Sequence, residues 1–194
     1  VILKRTPLYE PLFCDIDMIK RELGSVSSED EAILHDLILQ ASSALQDHLD
    51  RVLVAQDLVE AVIVSSVRSF RLSSRPVFGA VEVLFNDDLL KDIIVEAESG
   101  VVSQSDFSPL PSGRYCISYS AGYVPPGKDG RTLPPAIERA TAEIVKYWYH
   151  ARSRDSVVRS EKVDVLETVY FQNASLGGFP PGIETLLEPY QSYR

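Results

Sequence analysis

A metal ion or a proton-transfer reaction needs imidazoles, thiols or carboxylates that converge, and the 194-residue sequence offers few places where they would. His35, His48 and His150 are far apart. The first two are thirteen positions apart on one predicted helix, a spacing that does not put them in one coordination shell, and edge-of-core or solvent positions account for them. The paired carboxylates Asp87-Asp88 fall in a predicted turn, and Glu29 to Glu31 fall at a helix start, where backbone geometry and the helix dipole already explain them. No G-x-S-x-G elbow, phosphate-binding glycine loop or C-x-x-C pair is present. The expectation is therefore a non-enzymatic chain with no catalytic residue, metal or cofactor. A rival reading keeps a small intracellular enzyme, with Glu82, Asp92 or Glu96 in a cleft between sheet and helices; an enclosed pocket of converging polar groups would favour it.

Other residues are better suited to contact than to reaction. Arg152, Arg154, Arg159 and Lys162 form a basic patch that could meet phosphate or an acidic protein surface, or simply complement the negative end of the preceding helix and remain solvated. Tyr147, Trp148 and Tyr149 are consecutive on a predicted helix and must point in different directions, so at least one lies at the surface or in an interface. Near the C-terminus, Ile183, Leu186, Leu187 and Tyr190 have the spacing of an anchoring helix, tethered by Gly177-Gly178 and followed by Tyr193-Arg194. Packing of that helix against its own domain is the alternative.

These residues need a scaffold, and the composition allows one. With 45% hydrophobic and 24% charged residues the chain can bury one substantial core, which predicts a single domain with an insertion. No apolar run is long enough to span a bilayer, and Lys4, Arg5, Pro7 and Glu10 interrupt the start, so neither a membrane protein nor a secreted one is expected. Cys14 and Cys116 read as two small buried thiols in a reducing compartment, with a disulfide as the lesser alternative. A net charge of -9 argues against a surface that grips nucleic acid.

Helical periodicity predicts a two-turn helix over Ile16 to Leu23, closed by Gly24, and a long one from Glu29 to Leu53, about 35 Å at 1.5 Å per residue. Ser28 and Glu31 have the spacing of a capping box. Strands are predicted over Leu58 to Val67, Phe70 to Leu72, Val77 to Phe85, Ile93 to Ala97, Val101 to Gln104 and Arg114 to Ser120, separated by turn-forming clusters. Pro134-Pro135 open a further helix with Ile137, Ala140, Ile144, Val145, Trp148 and Ala151 along one stripe. A strand-like segment from Val163 to Phe171 and a last helix from about Gly182 to Tyr190, limited by Pro189, complete the chain. The predicted class is α+β: a helical core of about four helices, one of them long, in segments 15–55 and 134–154, with an antiparallel sheet inserted over about 57–123. This would be a single domain over 1–176, followed by an extended C-terminal arm, 177–194.

Several phrases, in order, give this sequence a resemblance to the phage head-tail connector family, also called head-completion or DNA-packaging adaptors. They are Arg51-Val52-Leu53 with Gln56 at the exit of the long helix; Arg75-Pro76-Val77 with Val81 and Val83; Tyr119-Ser120-Ala121-Gly122-Tyr123 followed by Leu133-Pro134-Pro135-Ala136-Ile137 and Ala140; Ser160-Glu161-Lys162-Val163; and the closing segment from Pro181 to Tyr190. The resemblance spans nearly the whole chain and implies a structural adaptor of a long-tailed phage. Such a protein forms a ring of twelve copies beneath the portal protein, through whose lumen the genome passes without sequence-specific binding. It also implies neighbouring copies, a stopper or tail-completion protein as the next partner, assembly in the host cytoplasm and a final place in the virion neck. Ile183, Leu186, Leu187, Tyr190, Tyr193 and Arg194 then become portal-binding residues. Tyr147, Tyr149, Arg152, Arg154 and Arg159 become contacts with neighbouring copies or partners, and insertion loops face the tail. A stopper of the same neck is the nearest rival.

Overall fold

The computed structural model describes residues 1–24, 28–152, 160–164, 167–170 and 178–191, with backbone alone at 28–29, 160–164 and 167–170. The fold is α+β, and the chain forms two compact units: 1–10 with 52–132, and 11–51 with 133–194.

The first unit is built of strands. Gly113–Ala121 (β8) shows why: Tyr115, Ile117, Tyr119 and Ala121 are buried while Arg114, Cys116, Ser118 and Ser120 are not, the two-residue alternation of a sheet with one covered face. It pairs antiparallel with Gln56–Val64 (β2), setting Leu58 opposite Tyr119 and Glu60 opposite Ile117, and on its other side with Val77–Phe85 (β4). Ile2–Pro7 (β1) and Asp88–Leu89 (β5) complete a five-stranded sheet ordered β1-β2-β8-β4-β5. Ser69–Arg71 (β3), Ile93–Val95 (β6) and Val101–Gln104 (β7) form a second sheet ordered β3-β7-β6. Leu58, Leu72, Val83, Val102, Leu110, Tyr115 and Ile117 share one core between them.

β1 was not expected from the sequence. Its apolar pattern is broken by Lys4, Arg5 and Pro7, and five of its six residues are exposed, as suits an edge strand that has no second face to bury. The predicted strand Val77 to Phe85 and the predicted strand Val101 to Gln104 match β4 and β7 residue for residue. The strand predicted to reach Val67 stops at Val64, before Ser65-Ser66.

The second unit is helical. Ile16–Leu23 (α1) is capped by Asp15, whose carboxylate accepts from the Asp17 N–H at 3.0 Å, and ends at Gly24 with φ 84°. Ser28–His48 (α2) buries Leu34, Leu37, Ile38, Ala41 and Leu45. The helix ends before the predicted Leu53. Asp50 turns left-handed at φ 49°, the Arg51 N–H returns to the Gln46 carbonyl at 3.2 Å and the Asp50 N–H to the Asp47 carbonyl at 3.2 Å, the paired bonds of a Schellman stop. Leu53 is still buried, which is why helical spacing ran on past the true end. The Ser28 side chain of the predicted capping box lies outside the described residues.

Pro135–Ala151 (α3) begins at the predicted proline pair and buries Ile137, Ala140, Ile144, Val145 and Trp148. Instead of one strand-like segment over Val163 to Phe171, two strands, Ser160–Asp164 (β9) and Glu167–Tyr170 (β10), pair antiparallel as a separate two-stranded sheet. Ile183–Leu187 (α4) passes into a 3-10 turn, Glu188–Tyr190, at Pro189, where the missing N–H forbids another α-helical bond.

Candidate assembly surfaces

In the sheet unit the Y-x-A-G-Y phrase has a local cause. Gly122 sits at φ 110°, and a Cβ there would lie 2.5 Å from the Val54 carbonyl oxygen. The bare backbone lets the Tyr123 N–H reach the Leu53 carbonyl at 2.7 Å while the Ala55 N–H reaches the Tyr123 carbonyl at 2.9 Å. Those bonds fix where β8 leaves the sheet.

Beneath the same sheet lies a polar cluster that sequence reasoning missed. Glu60 is buried at 3% exposure; it accepts from the Ser73 N–H at 3.1 Å, the Ser73 hydroxyl at 2.5 Å and the Tyr119 hydroxyl at 2.8 Å. Burial, then the hydrogen bond to Glu60, push the Tyr119 phenol well above its ordinary pKa, so it acts as a fixed donor. The sequence signal was a carboxylate in the inward register of Leu58, Glu60, Val62 and Val64. Every group in the cluster has a partner, and its work is to fasten the end of β3 to β2 and β8.

The opposite face of the five-stranded sheet is open. It carries an open groove of about 800 Å³, lined by Lys4, Thr6, Asp57, Val59, Glu82, Leu89, Ser118 and Ser120 among others. Ile63 and Leu89 are exposed on this unit at 82% and 57%. Elsewhere on it, Asp106 accepts from the Ser108 N–H at 2.9 Å and this turn presents Phe107, 70% exposed at φ 57°. The carboxylates of the enzyme reading do not meet: Glu82 lines the open groove, Asp92 lines a different concavity with Val81, Leu90 and Val95, and Glu96 accepts from the Ser99 hydroxyl.

In the helical unit the three consecutive aromatics separate as geometry requires. Trp148 turns inward and donates from Nε1 to the Gly178 carbonyl at 3.2 Å; Tyr147 and Tyr149 are half-buried to either side. Arg152 is exposed, its guanidinium 5.8 Å from the Tyr149 ring centre, and the Tyr149 and His150 rings meet edge to face at 5.9 Å. Arg154 and Arg159 lie outside the described residues, as does the side chain of Lys162.

The terminal stripe divides. Ile183 and Leu187 are buried at 5% and 0%, with α4 packed on α3, whereas Leu186 is exposed and Tyr190 half-buried. Phe179 meets His48 edge to face at 5.1 Å, and the Gln191 amide lies 3.5 Å from the His48 ring nitrogen. Ile183 and Leu187 thus bury their side chains inside their own unit, and of the described stripe Leu186 and Tyr190 are the residues left toward the surface. Tyr193, Arg194 and the Gly177 half of the predicted hinge lie outside the described residues.

Charges brace the helices. Lys146 bridges Glu22 at 2.6 Å and Glu143 at 3.1 Å; burial draws its pKa down, but the two carboxylates outweigh it and hold the ammonium above its ordinary value. Burial, followed by the fields of Glu138, Asp15 and Glu22, pushes the Cys14 thiol up to about 12; both cysteines are free, Cys14 buried and Cys116 partly exposed. Among the described residues no three metal-ligating side chains converge, and no helix is long and apolar enough to cross a membrane.

The chain is thus α+β, with one unit of strands and one of helices. The sequence model of the Head completion protein family matches residues 13–193, so the chain belongs to that family. No curated protein matches it in sequence. Among solved structures it is similar to a chain in the neck of an empty gene transfer agent particle computed with C6 symmetry, with TM-score 0.62 and 13% identity over 99% of this chain and 97% of that one. A chain from the virion of a native gene transfer agent particle is similar at TM-score 0.61 and 14% identity, with the same coverage. The likeness is one of fold.

Proposed function

We propose that this protein is the structural head-tail adaptor of a long-tailed phage or a related particle. Twelve copies form a ring beneath the portal that extends the DNA channel and offers the stopper or tail-completion protein its seat. The observation that carries this reading is family membership over 13–193. The shared fold with a chain from a particle neck supports it, and a reconstruction of sixfold symmetry is compatible with twelve copies. Its place is the virion neck, after assembly in the host cytoplasm, and it turns over no substrate.

On this reading the two units work as one connector domain, and 177–194 is the portal-docking arm. Ile183 and Leu187 stay seated on α3, while Leu186, Tyr190, Tyr193 and Arg194 meet the portal. Tyr147, Tyr149, Arg152, Arg154 and Arg159 contact neighbouring copies or partners, and Phe107 at its loop tip meets the tail-side protein. The charge of -9 lets the genome slide through the lumen without sticking.

The test is direct binding to purified portal rings, read by co-sedimentation and by electron microscopy. The wild type should decorate the portal, and Leu186→Asp, which leaves the buried stripe intact, should reduce decoration. A chain that ignores the portal and binds only a portal already carrying another neck protein is a stopper, and the adaptor reading fails.

A further inference from the structure

Two elements of this molecule have backbone edges that no described strand covers. β1 is the outermost strand of the five-stranded sheet, bonded to β2 on one side and exposed along five of its six residues. β9 and β10 pair with each other and with no other strand among the described residues. A two-stranded hairpin by itself is marginally stable in water, and an uncovered edge is a template for a further strand. Each lacks what the other offers.

Their charges are complementary. β1 carries Lys4 and Arg5; over 160–170 the sequence of the hairpin has three acidic residues, Glu161, Asp164 and Glu167, against one basic residue, Lys162, although the basic stretch that ends at Arg159 runs up to it. Lys4 and Arg5 repel a second copy of the same edge, so β1-to-β1 pairing is disfavoured, while an acidic strand is admitted. Pro7 has no N–H to offer at the end of that edge.

We propose that the β9–β10 hairpin of one copy adds to the β1 edge of a second copy, continuing the five-stranded sheet across the boundary between subunits. The inference rests on the ring reading and gives it a mechanism. Each chain then has one donor and one acceptor of different kinds, the head-to-tail arrangement that closes into a ring by rotation. Backbone hydrogen bonds supply the attachment, and the charge pairs choose the partner.

The experiment uses the full chain with Cys116→Ser, carrying either Leu3→Cys or Val163→Cys; Leu3 is 55% exposed on β1. The two variants are mixed on portal rings and treated with a short, flexible bis-maleimide. Cross-linked dimers should appear in the mixture and with neither variant alone, and a chain carrying both cysteines should give a ladder of higher species. Reversal of Lys4 and Arg5 to Glu should cut the yield about tenfold, and adding Glu161→Lys with Glu167→Lys should restore it. Closure within single chains would assign the hairpin to its own β1 and overturn the proposal. Rings visible by microscopy without cross-links would overturn strand addition and leave the ring standing. Neither rings nor cross-links would overturn both.

Discussion

At position 122 a methyl group has nowhere to go. The Val54 carbonyl stands 2.5 Å from where the Cβ would be, on backbone that cannot rotate away, and φ 110° disfavours any L side chain. Gly122→Ala should cost about 3 kcal/mol in urea unfolding of the full chain, a loss within about 0.5 kcal/mol of zero showing that the exit of β8 is free to shift. Cys14 has a signature in pH. Its thiol holds a proton more tightly folded than unfolded, so stability is fully present below pH 9 and falls as pH rises towards about 12. Between pH 8 and pH 10.5 the wild type should lose about 2 kcal/mol more than Cys14→Ala, measured by denaturant midpoints; parallel losses would mean the thiol is not held in its buried state. Gly122 stood out in the sequence as the glycine of the Tyr119 to Tyr123 phrase, directly after the predicted strand Arg114 to Ser120. Glu60 was not, since whether an inward carboxylate is catalytic, misplaced or fully partnered depends on Ser73 and Tyr119, which only the fold brings to it.

The elements show where reading by period succeeds and where it stops. β4 and β7 were found to the residue, and α3 within one residue at its start, because alternation and a proline pair are local facts. The end of α2 and the whole of β1 were not, because buried residues beyond Asp50 kept helical spacing and an exposed edge strand carries no alternation to read. α4 combines both situations, with one side turned in and one side turned out. Leu187→Ala should destabilise the chain by about 3 kcal/mol, and Leu186→Ala should change stability by no more than about 0.5 kcal/mol while weakening portal decoration. Equal effects of the two on stability, read by thermal unfolding, would mean that α4 is not seated as described. The closing helix was visible in the spacing, but the division of its stripe was not, because spacing marks an apolar face without naming what covers it.

For the molecule as a whole, a net charge of -9 repels other copies at long range, so that, on the proposed ring reading, a platform that concentrates the chain would favour assembly. Sedimentation of the dilute protein should therefore show a monomer, with rings only on the portal; a stable ring without portal would show that no template is needed. The arrangement of the backbone bears on how such a protein is made. One unit draws on 1–10 and 52–132, the other on 11–51 and 133–194, so Ile2 comes to lie opposite Glu60 only after all of α1 and α2 have been synthesised. On the ribosome the opening strand must wait, unmatched, for its mate, and no uninterrupted fragment contains either unit alone. A break anywhere between 11 and 51 therefore parts the two stretches that build the sheet unit, and one anywhere between 52 and 132 parts those that build the helical unit.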